Sequence, residues 1–169
     1  GFQIAKKGKK ASHLLGKKML GASDRVGFEI DVPGLRDFAY SNGLHSPRDP
    51  AIYLPPLVLF RDAPKLERTQ RGGLLARAEV VYSESFIGYS AAGHPQGEAL
   101  ARYLQLLSYS DLFSFYLLMT STKFGVERDA GQKEDIDRFP FIPYESLSSE
   151  QRQVVAVISN DLVAGNSPW

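Results

Sequence analysis

The run Ile52-Tyr53-Leu54-Pro55-Pro56-Leu57-Val58-Leu59-Phe60 decides how the rest of the chain is read. Its residues favour a pleated, half-buried surface, but Pro55 and Pro56 cannot donate to a ladder. The prolines therefore belong at a strand start or edge, and residues 57–60 make the firm strand. Upstream, Ser46-Pro47-Arg48-Asp49-Pro50 is a rigid loop that delivers the chain into this run. Further upstream, Phe28-Glu29-Ile30-Asp31-Val32 alternates apolar and acidic residues, the period of a half-buried strand. Residues 34–41 place Leu35, Phe38 and Ala39 at helical spacing, with Asn42-Gly43 as a stop. Gly8, Gly16, Gly21, Gly27 and the Pro33-Gly34 pair confine this third of the chain to short elements.

Downstream of the run, residues 61–73 read as a polar, basic linker. In residues 74–82, Ala78, Val80 and Tyr82 alternate with Arg77, Glu79 and Val81. Residues 86–89 form another short strand, and Ser83-Glu84-Ser85 makes a hairpin the expected connection. After His94-Pro95 the period changes. Ala99, Leu100, Tyr103, Leu104, Leu106 and Leu107 mark a helix with one broad apolar face. Ser110 or Asp111 caps a second helix over residues 112–121, apolar nearly all round and so expected to be central and buried. Residues 138–143 are extended because each proline pushes its predecessor out of the helical region. Ser148-Ser149-Glu150-Gln151 is a capping box that opens a last helix, with Val154, Val155, Ile158 and Leu162 on one face and a stop near Gly165. Strands come first and helices last, so the fold class is α+β. The whole of 1–169 is expected to be a single domain. Residues 1–44 form a basic, glycine-broken leading segment, 45–145 a core, and 146–169 a C-terminal helix.

With 169 residues, 43% of them hydrophobic and 23% charged, the chain buries a core of its own. The longest uninterrupted apolar runs, residues 115–119 and 154–158, are five residues each, far short of a membrane span. There are no cysteines, which excludes a disulfide scaffold, a thiolate nucleophile and a cysteine zinc site. Their absence fits a reducing, cytoplasmic location. The opening Gly-Phe-Gln has no initiator methionine and no signal-peptide layout, and reads as a piece of a longer protein.

The net charge of +1 hides a polarity along the chain. Residues 1–78 hold 14 Lys/Arg against 7 Asp/Glu, and residues 79–169 hold 6 against 12. Six lysines (Lys6, Lys7, Lys9, Lys10, Lys17 and Lys18) and no acid occur within residues 1–18. Such asymmetry points to a polyanion-facing half, and equally to a solvated arm.

No complete active site is legible. His13, His45 and His94 are isolated, without a helical histidine pair. Neither GxxxxGK[ST] nor GxGxxG occurs, and Arg71-Gly72-Gly73 is a single RGG, which reads as a turn. Gly88-Tyr89-Ser90-Ala91-Ala92 imitates a nucleophile elbow, but Ala92 stands where glycine is needed. Glu134, Asp135 and Asp137 read as a solvated acidic loop. Asp49-Pro50-Ala51-Ile52-Tyr53 resembles the [Asn/Asp]-Pro-Pro-[Tyr/Phe] loop of amino-directed methyltransferases, in which a carbonyl or carboxylate takes the target amine and the ring stacks on the base. Ala51 replaces the second proline and the aromatic comes one residue late, so as a catalytic loop it fails.

Tyr103-Leu104-Gln105-Leu106-Leu107-Ser108-Tyr109-Ser110-Asp111-Leu112-Phe113-Ser114-Phe115-Tyr116 resembles the helix pair near the end of adenine-N6 DNA methyltransferases. Phe124-Gly125-Val126-Glu127-Arg128, then Glu134-Asp135-Ile136 through Phe139-Pro140-Phe141-Ile142-Pro143, are similar to that family's closing glycine and proline-rich pattern. Residues 52–59 resemble the strand that opens its target-recognition domain. The likeness spans roughly residues 45–145. It implies a specificity portion of a methylase or fused restriction-modification enzyme that is not itself catalytic. The adenine-methylating domain and its S-adenosylmethionine would then lie elsewhere in the parent chain, and this piece would carry no cofactor.

The expected partners are therefore double-stranded DNA and the parent's methyltransferase domain, with no membrane. Lys9, Lys10, Lys17 and Lys18 are candidate phosphate contacts. His45, Arg48, Arg61 and Arg71 are candidate base-edge readers, being donors on or beside firm loops. Two other classes compete. One is a non-catalytic protein-interaction domain with a basic arm; the other is a divergent enzyme built from His45, Asp49 and Tyr53.

Overall fold

The computed structural model describes residues 1–24, 27–40, 42–45, 48–63, 72–121 and 132–165. Its architecture is α+β. Among the described residues, seven short strands run in the order β1 (Ile4–Lys10), β2 (Met19–Leu20), β3 (Asn42–Leu44), β4 (Leu57–Arg61), β5 (Leu74–Ala76), β6 (Val81–Tyr82) and β7 (Phe86–Ser90). Four helices follow: α1 (Gly97–Ser108), α2 (Asp111–Thr120), α3 (Lys133–Asp137) and α4 (Ser149–Val163).

The strand expected at residues 57–60 is β4, the middle of a three-stranded antiparallel sheet ordered β5-β4-β7. Because side chains alternate along a strand, its two faces serve two cores. Leu57 and Leu59 join Leu74 and Phe86 in a core shared with the N-terminal segment. Val58 and Phe60 join Leu75 in a core with Ala101 of α1 and Phe113 of α2. A third cluster seats Tyr103 and Leu107 of α1 against Tyr144, Leu147 and Val155 of the C-terminal segment.

The expected hairpin does not form. β6 pairs in parallel with β2, Met19 opposite Val81, and β7 pairs with β4 instead. The turn after Tyr82 closes, with Phe86 N–H donating to Ser83 C=O, but the two strands beside it part to different sheets. Long-range partners override local pairing here. The same holds for residues 28–32, which among the described residues make only one parallel bridge, Glu29 with Leu75. Their alternation is nonetheless real: Ile30 and Val32 are buried, and Asp31 is exposed. The helix expected over 34–41 is absent. Met19 N–H donates to Arg36 C=O and Phe38 N–H to Lys17 C=O, so this backbone lies extended along residues 16–19.

β1 and β3 form a kinked ribbon in which Ile4 and Lys9 both register on Leu44. The kink needs glycine. A Cβ on Gly8 would lie 2.4 Å from the Gly43 carbonyl carbon, and Gly43 itself has φ +106° with Ala5 O 2.7 Å from where its Cβ would be.

In α2, Ser110 is the N-cap and its hydroxyl accepts from Phe113 N–H at 3.1 Å. This helix is not the buried centre its composition suggested. Phe113 and Leu117 are buried, whereas Leu112 is 68%, Phe115 60% and Met119 65% exposed. The capping box at Ser148 and Gln151 forms as expected, and Gly165 ends α4 with φ +77°. Leu162 is buried and Val155 and Ile158 half-buried, but Val154 faces out and the buried Ser159 takes its place on the face. Residues 139–143 carry no regular secondary structure, with Phe141 N–H donating to Phe139 C=O at 2.9 Å, and Arg138 closes α3 in helical backbone, so the extended run expected over 138–143 is interrupted. Residues 124–128, with the first of the closing motifs, lie outside the described residues.

Truncating the two faces of this architecture should have opposite consequences. Leu59→Ala, at a fully buried β4 position, should lower stability by about 2–5 kcal/mol. Phe115→Ala should stay within about 0.5 kcal/mol of the wild type. Urea denaturation of both variants checks this, and comparable losses would mean that α2 is covered in solution.

Candidate nucleic-acid interface

The β1–β3 ribbon gathers part of the basic set. Lys9 sits opposite Leu44 and Lys10 opposite Asn42, both with exposed side chains. Neither has a carboxylate partner among the described residues. His45 follows β3, exposed, with its N–H donating to Gln3 C=O at 2.9 Å. Arg48 is held to the same lobe: its Nε donates to Gly1 C=O at 3.2 Å, and its own carbonyl lies 3.3 Å from His13 Nε2.

The other candidates are engaged differently. Lys17 pairs with Glu79, and Lys18 with Asp37 at 3.0 Å. The first pair ties the leading segment to the link between β5 and β6, the second closes within the segment itself, and both offset the charge that phosphate would need. Arg61, at the end of β4, donates to Ala22 C=O and Asp24 C=O, each at 3.3 Å, and its guanidinium lies 5.1 Å from the Phe86 ring centre. Its donors are turned to the protein's own backbone. Arg71 lies outside the described residues.

The loop that resembles a methyltransferase motif is a structural turn. Asp49 caps a 3-10 turn over Pro50–Tyr53, its Oδ1 accepting from Ala51 N–H at 2.8 Å. Tyr53 is fully buried, edge-on to Tyr82 with ring centres 5.3 Å apart. Burial pushes the Tyr53 hydroxyl pKa up, with a further rise from Tyr82 and an opposing effect of Arg48. A ring so placed has no face for a flipped base, and a capping carboxylate is not aimed at an incoming amine. No hydrogen bond joins His45 to Asp49 or Tyr53 among the described residues. The turn over residues 49–53 therefore does not have the geometry of a methyl-transfer loop. Similarly, Ser90 donates to Leu54 C=O at 2.7 Å at the end of β7, where no helix follows at once.

Among the described residues, no group of three or more potential metal ligands converges. His94 Nδ1 accepts from Gln96 N–H at 3.1 Å while Nε2 lies 3.0 Å from Glu145, so this histidine is a fastener between the α1 approach and the C-terminal segment. No described helix is long and apolar enough to cross a membrane.

One polar cluster escaped sequence reading. The residues read as an acidic loop form α3, where Asp137 accepts from Tyr89 of β7 at 2.6 Å and from Lys133 at 2.5 Å. Burial pushes the Tyr89 hydroxyl pKa up, reinforced by its hydrogen bond to Asp137 and by the Asp137 and Glu134 charges. Desolvation alone would raise the Asp137 pKa, but hydrogen bonds from Lys133 and Tyr89 and the Lys133 charge outweigh it and hold it low. The only local signal was the i,i+4 spacing of Lys133 and Asp137, since Tyr89 is 48 residues away. No protein-family model, curated protein or solved structure matches the chain.

Because its folded pKa is lowered, Asp137 should stabilise the fold fully above the ordinary carboxylate range and lose that contribution as pH falls through the lowered value. Denaturation midpoints followed from pH 7 to pH 2 should fall more steeply in the wild type than in Asp137→Asn. Superimposable acid profiles would remove Asp137 from the acid-labile set.

Proposed function

We propose that this chain is the DNA target-recognition portion of an adenine-N6 DNA methyltransferase or fused restriction-modification enzyme. In this reading it holds a duplex while a methyltransferase domain of the same parent chain, with its S-adenosylmethionine, flips and modifies the base. The observation that carries the reading is the β1–β3 ribbon: Lys9 and Lys10 stand exposed without carboxylate partners among the described residues, beside His45 and Arg48. Unpaired ammonium groups on a firm ribbon neutralise phosphates without first breaking an internal ion pair. Lys17 and Lys18 would have to give up Glu79 and Asp37, so their part is smaller than the count of lysines suggests. His45 and Arg48 are the donors best placed to reach a base edge, since Arg61 is committed to Ala22 and Asp24.

A second reading, a non-catalytic protein-interaction domain with a basic arm, draws support from α2. Leu112, Phe115, Leu118 and Met119 are exposed together on one helix, and contiguous apolar surface of that kind marks interaction sites.

Fluorescence anisotropy with mixed-sequence duplex at several salt concentrations separates the two. Two phosphate contacts, from Lys9 and Lys10, correspond to a log–log salt slope of about −1.8, at roughly −0.9 per contact. Affinity should fall in the non-specific range, on the order of 10⁻⁴ to 10⁻⁶ M. Replacing Lys9 and Lys10 by Ala should remove nearly all of that slope, while Lys17→Ala should leave it nearly unchanged. A chain that fails to bind duplex even at low salt would favour the interaction domain.

A further inference from the structure

The helical side of the sheet contains a cleft of about 280 Å³ that no part of the DNA reading uses. It is walled by Phe60 of β4, Tyr89 of β7, Leu104 and Ser108 of α1, Phe113 of α2 and Phe139 after α3. Rigid elements hold these walls. Phe60 meets Tyr89 at 5.5 Å with ring planes 86° apart, and Phe113 meets Phe139 at 5.0 Å and 79°. Such edge-to-face contacts fix the rings and leave aromatic edges and faces turned to the space between them.

Two properties define what fits. The first is size. A cavity of roughly 150 Å³ lined by aliphatic and aromatic groups takes up one benzene, so a cleft nearly twice as large suits a fused two-ring system. The second is the direction of the polar atoms. Tyr89 O–H donates to Asp137, and Ser108 O–H donates to Gln105 C=O at 2.5 Å while its oxygen accepts from Gly73 N–H at 2.7 Å. The protons of both hydroxyls are thus turned into the protein. What the cleft presents is lone pairs, above all on the Asp137 carboxylate, which accepts two hydrogen bonds in the fold and has capacity for more. Lys133 already neutralises that carboxylate at 2.5 Å, so neither a free anion nor a free cation gains from entering a largely apolar space.

We propose that this cleft binds a neutral aromatic ring bearing an N–H or O–H donor, the chemistry of an indole. The ring faces pack among Phe60, Phe113 and Phe139, and the edge donor reaches the Asp137 carboxylate at the rim. The group comes either from a tryptophan side chain of a partner or from a free small molecule, and both present the same ring and donor.

Titrating indole into the full chain, followed by amide ¹H–¹⁵N spectra, tests the assignment. One-to-one saturation is expected, with the shifts centred on Tyr89, Ile136 and Phe139. Benzothiophene, which has the same shape without the donor, should bind about three- to tenfold more weakly, the worth of one hydrogen bond. Asp137→Ala should bring the two ligands to equal affinity. Leu104→Trp should fill the cleft and abolish both; if that variant does not fold, the Asp137→Ala comparison and the shift map stand on their own. Binding of Nα-acetyl-tryptophanamide alongside indole assigns the ring to a partner's side chain, and exclusion of the amide with retention of indole assigns it to a small molecule. No saturation up to the solubility of indole, equal wild-type affinity for benzothiophene, or shifts centred on Leu112, Phe115 and Met119 would overturn the proposal.

Discussion

Burial of β4 on both faces is the constraint from which the rest of the structure follows. A five-residue strand, Leu57 to Arg61, supplies Leu57 and Leu59 to one core and Val58 and Phe60 to another. Neither neighbour is long: β5 has three residues and β7 five. So small a sheet is not stable by itself, because its strands bury too little unless other elements cover them. One face is covered by the N-terminal segment, whose short strands are joined by irregular stretches, and the other by helices α1 and α2. Each cover depends on the sheet for its own burial.

Holding an irregular segment against a sheet leaves many backbone groups to satisfy, and polar side chains do this at fixed points. Gln105, buried on α1, donates from its amide to Phe28 C=O and Gly73 C=O. It thereby ties the 28–32 segment and the β5 approach to a helix that comes much later in the chain. Arg77 reaches Glu29 and Glu98, each at 3.1 Å, across the same gap. These links explain how residues 28–32 keep an extended, alternating burial pattern while making only one described ladder bridge. The backbone bonds of Ile30 N–H to Leu75 C=O and of Leu75 N–H to Phe28 C=O set their register on β5, and these side chains hold it.

What was legible in the sequence follows the same division between local and distant forces. The Ser148 capping box, the Ser110 cap, α1 and the firm strand after Pro56 are set by neighbours within four residues, and each forms where the pattern places it. The hairpin failed because Val81 and Tyr82 had a better partner in Met19 and Leu20, far upstream, and no local pattern encodes that choice. The helix expected at 34–41 failed for the same reason, its donors and acceptors being claimed by residues 16–19. In α2 the composition misled: apolar residues all round imply burial only if partners exist on every side, and Leu112, Phe115 and Met119 remain largely exposed. Of the basic candidates, sequence alone could not separate Lys9 and Lys10 from Lys17 and Lys18. The difference lies in Glu79 and Asp37, which the fold brings to the second pair.

That difference also changes what the charge polarity means. Taken along the chain, residues 1–78 have twice as many basic as acidic groups, which suggests a basic half-molecule. In three dimensions part of the excess is answered by acids from residues 79–169, Lys17 pairing with Glu79 and Arg77 with Glu98, while Lys18 with Asp37 and Arg77 with Glu29 pair within the basic half itself. These pairs are partly exposed, so each adds little stability of its own. Among the described residues they set carboxylates beside Lys17, Lys18 and Arg77, and leave Lys9 and Lys10 on the ribbon without one. A polyanion approaching through salt solution senses the fixed charges within about 10 Å, not the sum over the sequence. On the DNA reading proposed above, an exposed lysine pair on one ribbon suits positioning a duplex more than wrapping one. Two such contacts give little grip, so firm binding would depend on a second surface on the same duplex.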